Sequence, residues 1–133
     1  MSNDKPKLAW YENNEDFTDP IKEYLSKYFL VKIFGMPENA EEEIAQFQPQ
    51  LTVFDYRMPM ISGLEMYERL KKRGLKFIPV FFTIWASDDS TKQLIIAAGI
   101  KEEAIMDKSM DCESFAKKAF SYYENLSKSK EEF

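Results

Sequence analysis

The sequence predicts an α/β fold, a parallel five-stranded sheet with helices on both faces arranged as (βα)5. Three observations carry that expectation. Short apolar runs alternate along the chain with longer segments of helical period. The runs are predominantly apolar, as strands of a parallel sheet covered by helices tend to be. The 133 residues include 11 Phe, 7 Tyr and 2 Trp, enough aromatic surface to drive collapse around a single sizeable core.

Taken in order, the first strand is expected over Leu8 to Tyr11, and the helix after it carries Phe17, Ile21, Leu25 and Tyr28 at four-and-three spacing. Pro20 falls inside that pattern, where it loses a hydrogen bond and crowds the preceding turn. The helix therefore either starts late, with Thr18 or Asp19 as its cap, or is kinked. Leu30 to Phe34 reads as the second strand and Ala40 to Phe47 as the second helix. Leu51 to Phe54 and Leu64 to Leu70 form the third pair, Phe77 to Phe82 and Ser90 to Ala98 the fourth. Ala104 to Met106 is the fifth strand. Asp111 to Leu126 closes the pattern, with Asp111 as N-cap and Phe115, Ala119, Phe120 and Tyr123 on one stripe. The charged stretch Ser127 to Phe133 has no period and is expected to fray. One domain over 1–133, with its core at about 7–126, leaves no room for an attached output module, so its signal would pass through surface contacts.

Composition excludes several functions. A net charge of -5 argues against nucleic acid as a partner, which calls for a basic face. The single cysteine, Cys112, allows no internal disulfide. With 0 His, zinc centres of the usual kind and Ser-His hydrolysis are ruled out. The N-terminus lacks the apolar core of a signal peptide, and no run reaches the roughly 18 residues of a membrane span, so a cytoplasmic protein is expected.

In an open parallel sheet, ligands bind beyond the carboxyl ends of the strands, and here those ends are polar. They are Glu12-Asn13-Asn14-Glu15-Asp16, Asp55, Thr83-Ile84 and Asp107-Lys108. One reading is structural: helix caps and a salt bridge. The other is a site for a divalent cation and a phosphoryl group, with hard oxygen ligands for Mg²⁺ and a lysine for the transferred oxyanion.

The stretch from Leu51 to Met66 runs apolar strand, Asp55, two residues, Met58-Pro59, three residues, Gly63. It resembles the third strand and following loop of the receiver domain of two-component response regulators, and the resemblance extends over roughly residues 7–126. It implies a flavodoxin-like doubly wound sheet of order 2-1-3-4-5. It also implies that Asp55 accepts a phosphoryl group from a histidine kinase or phosphotransfer protein, and that Lys108 pairs with the phosphoryl oxygens. Glu12, Asn13, Asp55 and the backbone carbonyl of Arg57 would hold Mg²⁺. No classical enzyme is implied beyond the receiver's own Mg-dependent phosphorylation and dephosphorylation.

Several positions depart from the family's pattern. Asn13 stands where the family has an acid, which should weaken Mg²⁺ binding, while Glu15 and Asp16 answer the helix dipole. Counting from Pro79 and back from Gly99 puts Ile84 at the position of the switch hydroxyl, with Thr83 one place early unless a bulge restores it. Ile105 occupies the aromatic switch position. Without a donor at 84 or a ring at 105, beryllofluoride is expected to cause only small shifts. Ser109 replaces the usual cis proline, so the Lys108-Ser109 bond is expected to be trans. Gly99 to Lys108 is two residues longer than usual. Two functions compete: a receiver phosphorylated at Asp55, and a pseudo-receiver that binds partners without phosphorylation. A flavin-binding protein fails because Glu12 to Asp16 would repel a phosphate. The face of helix four, strand five and helix five, with Trp85, Lys92, Ile95, Met106 and Tyr122 as candidate exposed residues, is the expected surface for a partner or a weak homodimer.

Overall fold

The computed structural model describes residues 5–128. Five strands, β1 (Lys7–Tyr11), β2 (Leu30–Phe34), β3 (Leu51–Phe54), β4 (Ile78–Thr83) and β5 (Ile105–Asp107), alternate with five helices. The helices are α1 (Glu15–Leu25), α2 (Pro37–Phe47), α3 (Gly63–Lys72), α4 (Asp89–Ala97) and α5 (Cys112–Lys128). The strands pair in parallel in the order β2-β1-β3-β4-β5, as the resemblance implies.

Strand alternation divides the apolar residues between two cores. Leu8, Trp10, Val53, Val80 and Phe82 pack with Ile21 and Leu25 of α1 and Phe115 and Ala119 of α5. Ala9, Tyr11, Phe54 and Phe81 pack on the other face with Ile44 of α2, Met66 of α3 and Ile95 of α4. The rings of Phe82 and Phe115 stack with centroids 3.7 Å apart, which ties α5 to the centre of the sheet.

The helix starts follow from capping chemistry. Asn14, Ser62, Asp88 and Asp111 each accept a hydrogen bond from the backbone N–H three residues on, and α2 opens on Pro37. The cap of α1 is thus Asn14, and the late start at Thr18 or Asp19 does not occur. Pro20 lies inside the helix, and its missing N–H leaves the carbonyl of Asp16 without that donor. Tyr28 falls past the end of α1 and stacks on Phe120 with centroids 4.8 Å apart.

Other boundaries shift for local reasons. The segment before β5 coils into a 3-10 turn over Glu102–Ala104, and the strand runs over Ile105–Asp107, one residue later than expected. Ser127 and Lys128 continue α5 instead of fraying, while 129–133 lie outside the described residues. Ile95 and Met106, expected at the surface, are core residues at 0% and 1% exposure, because α4 turns Thr91 and Ile95 inward and β5 turns Met106 onto the core beneath α1 and α5. Trp85, Lys92, Ile105 and Tyr122 are half-buried. No described helix is long and apolar enough to cross a membrane.

Pro20 gives a direct test of the packing of α1. Proline in a helix interior costs about 3 kcal/mol relative to alanine. Pro20→Ala should therefore raise unfolding stability by about 1 to 3 kcal/mol in urea denaturation, part of the gain being lost to greater freedom of the unfolded chain. A lower midpoint would show that tertiary contacts of the pyrrolidine ring hold α1 in place.

Candidate active site

Glu12, Asp55 and Lys108 follow directly on β1, β3 and β5. The sheet ladder continues one bond past each strand to fix them: Glu12 N–H donates to the Phe34 carbonyl, Asp55 N–H to Tyr11 and Lys108 N–H to Thr83, each at 3.2 Å. Their side chains continue the alternation of Leu8 and Trp10, of Leu51 and Val53, and of Met106, so all three emerge on the face covered by α1 and α5.

They converge there. Lys108 Nζ stands 2.8 Å from Glu12 Oε1 and 3.4 Å from Asp55 Oδ2. It also lies 4.4 Å from the ring centroid of Phe17, a cation-π contact on the first turn of α1. Glu12 is 2% exposed. Burial pushes the pKa of both carboxyl groups up, and Lys108 pulls both back down. Asp55 is further lowered by the N–H of Tyr56 and the hydroxyl of Thr83. Two carboxylates sharing one ammonium leave a net negative site.

Thr83 is near enough to lower the Asp55 pKa, but strand alternation carries it with Phe81 onto the opposite face of the sheet, where its Oγ1 accepts from Trp85 N–H. It ends β4 fully buried, whereas Ile84 has left the strand and is 68% exposed. Thr83 is paired with Asp107 in the ladder, and the chain turns immediately after it, which takes Ile84 out of the strand. The Lys108-Ser109 bond is trans, and Ser109 N–H donates to the Asp107 carboxylate at 2.9 Å. Asn13 is exposed, and Glu15 and Asp16 sit on the first turn of α1.

Three contacts went unnoticed in the sequence. The Tyr11 hydroxyl donates to the Ile61 carbonyl at 2.7 Å and pins the loop between β3 and α3. Burial, with Glu65 nearby, pushes that phenol up to about 12, so it remains a donor. Arg57 lays its guanidinium 4.2 Å from the Trp85 ring centroid, joining the loops after β3 and β4, and Trp85 N–H donates to Thr83 Oγ1 at 3.2 Å. The third is Phe17 beneath Lys108. Aromatic residues among polar ones were the available signal, but nothing in their spacing names a partner.

As a cation site the donors are of the right kind but few. Among the described residues no group of three or more His, Cys, Asp or Glu side chains stands together. Glu12 and Asp55 supply two carboxylates, which suits Mg²⁺, an ion that takes one or two and fills its shell with other oxygens and water.

The model of the response regulator receiver domain matches residues 11–119. The chain belongs to this receiver family. It is 32% identical over 100 residues to hybrid signal transduction histidine kinase D of Dictyostelium discoideum, covering 74% of this chain and 6% of that protein. It is 30% identical over 123 residues to "Probable transcriptional regulator ycf29" of Pyropia yezoensis, covering 91% of this chain and 50% of that one. The chain thus spans half or less of the curated relatives it matches. Among solved structures, the receiver domain of Francisella response regulator 1452 superposes with a TM-score of 0.78 at 15% identity, over 92% of this chain and 99% of that one. The BeF3-activated receiver domain of Klebsiella pneumoniae RstA gives 0.69 at 24%, over 79% and 87%.

In this receiver the loop after Asp55 depends on Gly63. A Cβ there would lie 2.0 Å from the Asp55 carbonyl oxygen and 3.2 Å from Phe54 Cβ, so backbone would have to move. Gly63→Ala is expected to cost about 2 kcal/mol or more in urea unfolding. A wild-type midpoint would show that the loop has slack the contacts do not suggest.

Proposed function

We propose that Asp55 accepts a phosphoryl group from a histidine kinase or phosphotransfer protein in the cytoplasm, and that the domain signals through protein contacts. The observation that carries this reading is Lys108 held between Glu12 and Asp55, with the Thr83 hydroxyl acting on the same aspartate. Asp55 Oδ attacks phosphorus in line, the P–N bond of the donor breaks, and the imidazole departs with the bonding pair and takes up a proton. Lys108 then exchanges part of its contact with Glu12 for the incoming phosphoryl oxygens, and Thr83 donates to another. Glu12, Asn13, Asp55 and the Arg57 carbonyl are the proposed ligands of Mg²⁺. When bound, the ion neutralises charge on the phosphoryl oxygens, and Asn13, an amide in place of an acid, weakens its hold.

The pseudo-receiver reading draws on different details: Lys108 lies closer to Glu12 than to Asp55, and Asn13 removes one acid. Intact-mass measurement after incubation with acetyl phosphate and Mg²⁺ separates the two. The first reading expects one added phosphoryl group, lost in Asp55→Asn. An unmodified mass in the wild type would favour the second. Because the Asp55 pKa is raised and only the ionised form attacks, the rate of labelling should fall on acidification at a pH above the ordinary aspartate value of 3.8.

In the first reading Thr83 supplies the donor that Ile84 cannot, which answers one of the two reasons to expect weak switching, while Ile105 still offers no ring. A hydrogen bond to a charged group contributes about 1.5 to 3 kcal/mol, or roughly ten- to a hundred-fold in a two-state ratio. Beryllofluoride, standing in for the phosphoryl group, should therefore produce large amide shifts from Thr83 through Trp85 and into α4, and Thr83→Ala should abolish most of them. Equal shifts in both proteins would exclude Thr83 as the transmitting hydroxyl.

A further inference from the structure

At the end of the sheet remote from Asp55, the start of β4, the end of α3, the segment before the 3-10 turn and the last turns of α5 enclose a groove of about 440 Å³. We propose that it binds a small aromatic anion, its flat apolar body seated among Tyr67, Phe77, Ile100 and Tyr122 and its acidic group at Lys71 and Lys76. The proposal is independent of phosphorylation at Asp55.

Size and chemistry both select this class. The volume lies in the range of about 300 to 1,000 Å³ typical of small-molecule sites and is too small for a folded partner's face. The walls are ring and aliphatic surface, with Leu75 and Leu126 completing them. The carbonyls at the ends of the neighbouring helices are already used. Gly74 N–H donates to Lys71 and Leu75 N–H to Leu70, at 2.9 and 3.2 Å, closing α3. Gly99 N–H donates to Ile96 and Ile100 N–H to Ile95, at 2.9 and 3.4 Å, closing α4. Gly74 and Gly99 reach these geometries at φ +86 and +103.

The polar side chains that line the groove are lysines and tyrosines, all able to donate. Among the described residues neither Lys71 nor Lys76 pairs with a carboxylate, although the chain as a whole carries a charge of -5. The nearby arginines are already committed, Arg69 to Glu65 and Glu41, and Arg73 to Glu41 and Glu42. Lys71 Nζ lies 5.6 Å from the Tyr67 ring centroid, at the rim where an anion would meet it above an aromatic floor. The Tyr122 phenol is pushed up to about 12 by burial and then by Glu103, so it enters the groove as an O–H donor.

The test is titration of the full chain with two fluorescent probes of similar shape, anilinonaphthalene sulfonate and the neutral N-phenylnaphthylamine. The sulfonate should bind at one saturable site and move the amide signals of Phe77, Ile100 and Tyr122. Lys71→Gln with Lys76→Gln should weaken it about tenfold, the scale of a charge-assisted contact, and leave the neutral probe unchanged. Equal binding of both probes with no effect of the lysine substitutions would overturn the proposal. So would amide shifts confined to another surface. If Phe133→Ala strengthens sulfonate binding about tenfold, the groove belongs to the chain's own Glu131-Glu132-Phe133 and the proposal also fails.

Discussion

The Lys108 ammonium, shared between Glu12 and Asp55, is the interaction on which the rest of the carboxyl end of the sheet depends. Two buried carboxylates a few ångströms apart repel each other and resist ionisation, and one ammonium between them offsets part of both penalties. Breaking such a buried arrangement by removing one partner is costly, so the three groups hold β1, β3 and β5 in relation to one another. The same arrangement leaves Asp55 with only part of a counterion. That shortfall is what an incoming cation or phosphoryl group would answer.

Everything around the trio restricts where its members can go. The ladder bonds to Phe34, Tyr11 and Thr83 fix the backbone of each residue. Phe17 limits Lys108 from one side, and Tyr11, through the carbonyl of Ile61, fixes the loop that follows Asp55. Gly63 lets α3 begin against the Asp55 carbonyl, an approach that no side chain at that position permits. The Arg57-Trp85 stack joins the loops after β3 and β4 and connects to Thr83 through Trp85 N–H. A change at Asp55 can therefore reach the start of α4 through contiguous contacts.

Much of this was legible in the sequence because it follows from period-two alternation. Glu12, Asp55 and Lys108 continue buried apolar runs, and once the sheet order is known they must emerge on one face. What failed were features set by tertiary contact. The end of β4 at Thr83 depends on its pairing with Asp107, which the apolar run to Phe82 does not contain. Pro20 looked like a helix boundary, but α1 is held by Asn14 at its start and by Ile21 and Leu25 in the core, and these override one lost hydrogen bond. Ile95 and Met106 read as candidates for an exposed face because an apolar residue on a helix or short strand does not declare its side; packing turned both inward.

Lys108 favours the ionised form of two buried carboxylates whose burial penalty exceeds its help. Carbon-13 titration of the side-chain carboxyl groups in metal-free protein measures this directly, with wild type beside Lys108→Met. The account predicts that Asp55 and Glu12 titrate above their ordinary values of 3.8 and 4.5 in the wild type, and higher still in the variant. Titration of both at or below those values, or no change on removing the ammonium, would contradict it.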